Sequence, residues 1–255
     1  MFARNGSEGN DVYQYAADDT YSDGSARRMM DLSTNEQALI EYLSAQKKAG
    51  VFKSIVVIIA SEFQMELGFL DEYDIDACLL TGMTGSYGCE AIAQVLDGTV
   101  NPSGRTVDTY ASNSLSAPSV VNGGVEGVST WGNAAELNDY DKINGDENID
   151  YYIVYGEGIY VGYKYYETRY EDTVMNAGNA NGTAGTFNSS NGWNYAEEMC
   201  YPFGYGLSYT TFDETLDSVE YDASTDTYNV KVTVTNTGDV AGKHVVEVYA
   251  QTPYG

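Results

Sequence analysis

Positive charge is what this chain has least of. Its 255 residues hold 12 Lys and Arg against 38 Asp and Glu, a formal net charge of −26. Phosphate binding needs clustered basic side chains, so the balance argues against nucleic acid as a partner. A neutral ligand such as a sugar meets no such repulsion, and the same acidity also serves solubility with no ligand at all. Histidine is rarer still. The single His244 alternates with valines in an expected strand, where a surface or sheet-edge place suits it better than a triad or a zinc site. Three cysteines, Cys78, Cys89 and Cys200, are too few and too scattered for a metal pattern or a disulfide framework, and their odd number leaves at least one thiol outside any disulfide. Cys78 lies in an apolar run and Cys89 opens an expected helix, so both read as small core hydrophobes. No apolar run reaches membrane-spanning length; the longest, residues 55–60, is strand-sized. The opening MFARNGSEGND lacks the apolar core of a signal peptide.

What is present alternates. Residues 31–110 switch between helix-like and strand-like segments, the pattern of an α/β layer. Ser33 and Glu36 form a capping-box pair ahead of Leu39, Ile40 and Leu43, which predicts a helix over about 34–48, stopped by Gly50. The run SIVVIIA at 54–60 predicts a strand buried on both faces. A second strand is expected at 77–80, then the loop GMTGSYG, then a helix over 89–96 with Ala91, Ile92, Val95 and Leu96 inward. That loop lacks both the P-loop lysine and GxGxxG spacing, so close strand–helix packing explains its glycines better than a phosphate does. Pro102 and Gly104 end the helix in a turn, where Arg105 is expected to pair with a carboxylate.

Residues 112–199 are rich in Gly, Asn and Tyr. Segments 151–155 and 159–166 read as two extended aromatic strands around Gly156-Glu157-Gly158, with tyrosines that stack on sugar rings or, more simply, cover a sheet edge. The acidic run 139–148 hints at calcium, but Gly145 falls one position late for an EF-hand loop, which leaves a solvated loop and no metal. The tract 176–183 reads as a flexible insertion. Further on, 228–235 alternates strictly, 236–239 turns, and 245–249 resumes, as in a β-sandwich with a hairpin link. A sandwich of this kind needs about seven strands. About three are in hand, so the final domain is expected to be truncated.

Between these regions lies YPFGYGLSYTTF, residues 201–212. Gly204 and Gly206 open backbone angles closed to other residues, and Pro202 fixes its own φ, so neither helix nor regular strand runs through it. This corner resembles the PFGYGLSYT signature that joins the last two domains of family 3 glycoside hydrolases. Three further segments agree in order. AIAQVLDG and NPSGR at 91–105 resemble the family's helix and turn. YGEGIYVGYKYY at 155–166 resembles its YxEGIYVGYRYY, with Lys164 where arginine is usual. VTVTNTGDVAGKHVVEVY at 232–249 is similar to the opening strands of a fibronectin type III-like domain.

The resemblance implies a layered α/β sandwich domain over 1–200 carrying the Gly/Asn/Tyr-rich insertion, an interdomain corner at 201–212, and a partial fibronectin type III-like β-sandwich over 213–255. It also implies a chemistry. Gly6-Ser7-Glu8-Gly9-Asn10-Asp11 resembles the family loop GEGxD, which makes Glu8 the general acid/base; Val12 stands where a basic residue often follows. A retaining glycosidase sets two carboxyl groups about 5–5.5 Å apart, one a nucleophile and one a proton donor. The resemblance puts the nucleophile on an amino-terminal (β/α) barrel, which these residues do not hold. The expected function is thus the carboxy-terminal part of a retaining β-glycosidase, inactive alone, taking a β-linked glycoside and no cofactor. The other class is a non-catalytic carbohydrate-binding or interaction module of the same architecture.

Overall fold

The structure, a computed structural model, describes residues 1–4, 12–123, 131–133 and 152–251. Two compact units form, one from Met1–Thr84 with Asp108–Pro202 and the other from Gly85–Val107 with Phe203–Gly255. The chain opens with β1 (Phe2–Arg4), the antiparallel pair β2 (Tyr15–Thr20) and β3 (Ala26–Arg28), then α1 (Thr34–Lys48), β4 (Val56–Ser61), a single turn α2 (Phe69–Glu72) and β5 (Ala77–Leu80). Helix α1 starts where its sequence dictates. The Ser33 side chain accepts from the Glu36 N–H, and the Glu36 carboxylate accepts from the Ser33 N–H at 2.8 Å.

Strands β1, β4 and β5 make one parallel sheet in that order, with Phe2 opposite Ile59 and Val57 opposite Cys78. Its core gathers Phe2, Ile40, Val57, Ile59, Phe69 and Leu70, and the rings of Phe2 and Phe69 meet edge to face at 5.9 Å. The expected burial of β4 on both faces holds only in part. Val57 and Ile59 join the cluster on one face; on the other Ala60 is buried and Ile58 half-buried, but Val56 is 45% exposed, so that face is open at the start of the strand. Cys78 packs against the cluster, and burial pushes its thiol up to about 12. That is the inert hydrophobe expected of it.

After α3 (Cys89–Leu96), which belongs to the second unit, the chain returns to the first as β6 (Tyr110–Ala111), α4 (Pro118–Val121), α5 (Tyr163–Val174), α6 (Tyr195–Glu198) and β7 (Met199–Tyr201), with β6 and β7 antiparallel. Here the aromatic-strand expectation is corrected. Residues 152–155 join no ladder, and from Tyr163 the chain is helical. Gly162 turns it at φ +65°, and the Asp108 carboxylate accepts the Tyr163 N–H at the helix start. Tyr166 is 2% exposed, with its hydroxyl 2.6 Å from Ser116 Oγ. The tract read as a flexible insertion is also organised: the Arg169 guanidinium donates to the carbonyls of Ala180 (2.8 Å), Gly182 (2.9 Å) and Ala184 (2.7 Å). The acidic run 139–148 lies outside the described residues.

The second unit contains α3 and the hairpin of β8 (Phe212–Asp222) and β9 (Thr227–Asn236), paired from Phe212–Asn236 to Asp222–Thr227. Residues 245–249, expected as a strand, form none. Nor does α3 turn an apolar face inward: no residue of it is buried, Leu96 is 49% exposed, and Cys89 is exposed rather than core. Arg105 forms no ion pair among the described residues; its guanidinium donates to the Gly104 carbonyl at 3.0 Å.

Polar contacts tie this unit together. Thr106 and the corner exchange three hydrogen bonds: Gly204 N–H to Thr106 O, Thr106 N–H to Tyr205 O and Tyr205 N–H to Thr106 Oγ1, at 2.8–2.9 Å. A Cβ on Gly206 would lie 2.3 Å from the Gly104 carbonyl oxygen, so glycine is what lets turn and corner meet.

Candidate functional site

Because β1, β4 and β5 are parallel, their carboxyl ends, Arg4, Ser61 and Leu80, fall on one edge of the sheet. In open α/β sheets that edge is where ligands bind. Residues 5–11, which carry Glu8, follow β1 directly in sequence, and they lie outside the described residues. The residues on either side of the segment, its two stems, are described.

On the first stem, the Arg4 guanidinium makes an ion pair with Glu36 and donates to the Asp31 carbonyl at 3.3 Å. Glu36 is the capping carboxylate of α1, so one side chain holds both the helix start and the end of β1. Burial pushes the Glu36 carboxyl up, but hydrogen bonds from Arg4 and Ser33 outweigh it and hold the group below its usual range. It is an anion at neutral pH. On the second stem, the Tyr13 N–H lies 3.2 Å from Met29 Sδ, and Gln14 Nε2 donates to the carbonyls of Val120 (3.2 Å) and Val121 (2.8 Å).

The β2–β3 hairpin beyond is locked by two arginines. Arg27 lies 4.4 Å from the Tyr21 ring centroid and donates to the Leu32 carbonyl at 2.8 Å. Arg28 grips Glu66 with two bonds, 2.7 and 2.8 Å, and Glu66 also accepts the Ser114 N–H at 2.8 Å. Glu66 is 5% exposed and sits in the segment that follows β4, so it joins that segment, the hairpin and the chain after β6. The sequence reading passed over it. A carboxylate between Met65 and Leu67, both buried, was the available signal.

A second overlooked carboxylate is Glu198. It is 0% exposed, and it accepts the N–H groups of Phe187, Asn188 and Ser189 together with the Ser189 hydroxyl, at 2.7–3.1 Å. These bonds bend residues 187–189 around a fixed charge, a structural duty. Among the described residues no three His, Cys, Asp or Glu side chains are grouped to hold a metal ion. No described helix is long and apolar enough to cross a membrane.

A parallel α/β sheet with helices, followed in sequence by a glycine-built corner and a β-hairpin, defines the chain as an α/β protein. The chain belongs to glycosyl hydrolase family 3, whose C-terminal domain matches residues 3–163. It is 31% identical over 218 residues to β-glucosidase A of Butyrivibrio fibrisolvens, covering 80% of this chain and 21% of that protein. The thermostable β-glucosidase B of Acetivibrio thermocellus is 28% identical over 242 residues, with 94% and 25% covered. Among solved structures, β-glucosidase 3B from Thermotoga neapolitana, determined in complex with glucose, superposes with a TM-score of 0.57 at 28% identity over 86% of this chain and 24% of that one. The chain thus spans about a fifth of the length of the curated relatives it matches.

Proposed function

We propose that the chain is the carboxy-terminal part of a retaining β-glycosidase that hydrolyses terminal β-linked sugars, with Glu8 as general acid/base and the nucleophile on a (β/α) barrel outside these residues. What supports the reading is that the GSEGND sequence lies inside the family match and comes directly after β1, whose last residue, Arg4, is at the carboxyl edge of the parallel sheet. Relatives named β-glucosidases support the substrate class. On this reading 1–200 serves as the α/β sandwich domain, 201–212 as the joint and 213–255 as the opening of a fibronectin type III-like domain.

Bond cleavage needs a proton on the leaving oxygen and a carboxylate behind the anomeric carbon. Glu8 supplies the proton in the first step, then takes one from water in the second. The nucleophile's negative charge nearby keeps Glu8 protonated until the bond breaks, then disappears in the glycosyl-enzyme and lets Glu8 act as base.

The test is to supply a family 3 barrel domain in trans and assay alkyl and aryl β-glucosides. Glu8→Gln should lower kcat/KM on the alkyl glucoside about 10²–10⁴-fold and abolish the basic limb of the pH profile. An aryl glucoside with a strongly acidic leaving group should lose far less in its bond-breaking step, since it needs no proton. Wild-type activity matched by Glu8→Gln at every pH would remove the assignment. Sugar binding with no hydrolysis by the complex would favour the non-catalytic module.

A further inference from the structure

Helix α5 and the turn into α6 enclose an open cavity of about 530 Å³, lined chiefly by Glu167, Tyr170, Trp193, Asn194 and Tyr195. Its size lies within the roughly 300–1,000 Å³ of small-molecule sites. Two walls meet there. Glu167 and Tyr170 stand three residues apart on one side of α5, and Trp193, Asn194 and Tyr195 come from the start of α6. Tyr170 and Tyr195 lie with ring centroids 5.0 Å apart at 48°, and Trp193 meets Tyr195 edge-on at 6.1 Å. Trp193 is 3% exposed and forms the floor, while Tyr170, at 42%, forms the rim.

The polar groups are few and complementary. The Tyr195 hydroxyl donates to Glu167 Oε1 at 2.6 Å, which leaves Oε2 an acceptor with no partner among the described residues. Asn194 uses Oδ1 for the Ala196 N–H, and its amide NH₂ has no partner among the described residues. One acceptor and one donor beside flat aromatic faces suit a ligand with hydroxyls along its edge and C–H bonds on its face.

Charge narrows the choice. An anion would meet Glu167 and a protein of net charge −26. The Arg169 guanidinium, 4.6 Å from the Trp193 ring centroid and fixed by three backbone carbonyls, already serves as that ring's cation. A neutral polyhydroxylated ring meets no charge repulsion here, and competition by tetramethylammonium tests it against a cation. We propose that the cavity between α5 and α6 is a binding site for a neutral pyranose, stacked on Tyr170 and Tyr195 and held by Glu167 and Asn194. The choice of a sugar rests on the family 3 reading, but its test involves no hydrolysis, so failure here and failure of the Glu8 assay are separate results.

The experiment titrates the 255-residue chain with cellobiose and with methyl β-D-glucopyranoside, reading saturation-transfer NMR and tryptophan fluorescence. Saturation transfer concentrated on ring C–H protons is expected. Tyr170→Ala should weaken binding about tenfold. Glu167→Gln keeps an acceptor for the Tyr195 hydroxyl and both ring walls, and should weaken it by about threefold. Tetramethylammonium should not compete. The proposal is overturned if neither sugar shows transfer up to its solubility, if both variants bind as tightly as wild type, or if tetramethylammonium displaces the sugar.

Discussion

The two units handle burial in opposite ways. Every buried apolar residue among the described residues, from Phe2 to Trp193, belongs to the first unit; in the second only Thr210 is buried. The hairpin shows why. Strands β8 and β9 are paired along their length, yet Leu216, Val219, Tyr221 and Tyr228 are all more than half exposed. Backbone pairing forms a ribbon, but a ribbon closes no core until a second layer covers a face. The first unit has that second layer, because Ile40 of α1 and Phe69 and Leu70 of α2 join Val57 and Ile59 in one cluster. Its cohesion is apolar, while that of the second unit rests on hydrogen bonds.

Single truncations should separate these two modes. Ile40, at 2% exposure, leaves a cavity when cut to Ala and should cost about 2–5 kcal/mol in urea denaturation. Leu216→Ala, at 62% exposure, should stay within about 0.5 kcal/mol. Equal losses from the two variants would mean that the hairpin has a packing partner in solution, and the contrast would fall.

The second unit should respond instead to loss of a polar clamp. Asn101 Oδ1 accepts the Tyr209 N–H at 2.7 Å and the Ser208 hydroxyl at 2.8 Å, while Nδ2 donates to the Ala241 carbonyl at 3.0 Å. Asn101→Ala removes all three bonds in partly exposed surroundings and should cost about 1–2 kcal/mol. Hydrogen exchange would read it as faster exchange at Tyr209, with amides of β4 unchanged. Acceleration throughout β4 would show that the two units unfold together.

The same contrast governs what could be read from sequence. Helix α1 and strand β5 were legible to the residue, because a capping box and an apolar run are local signals. The bounds of α3 were equally legible, but its inward face was not: four apolar residues at helical spacing say that a partner is wanted, not that one is present. Helix α5 was misread because tyrosine favours strands, and what overrides that preference, the Ser116–Tyr166 contact and the Asp108 cap at Gly162, is remote in sequence. The Arg169 bonds that order 180–184 are likewise invisible to composition. Glu8 stood out among 38 acids only through its resemblance to a family loop.

The smallest expected effect tests whether charge rather than apolar area holds the irregular part of the first unit. Burial alone pushes the Glu198 carboxyl up, but the Ser189 hydroxyl and the backbone N–H groups of Ser189, Asn188 and Phe187 outweigh it, so the folded group titrates below the ordinary glutamate value. A depressed folded pKa means that the anion's contribution is fully present above the unfolded value and drains away as pH falls through the folded one. The turn at 187–189 should therefore loosen in acid, below the ordinary glutamate range, before the apolar cluster around Ile59 responds. Emission from Trp193, which lies between that turn and Glu198 in the chain, should report it when Trp131→Phe removes the other indole. Glu198→Gln should flatten this acid transition while leaving the main unfolding midpoint at neutral pH only slightly lowered. If the transition persists unchanged in Glu198→Gln, another carboxylate governs it.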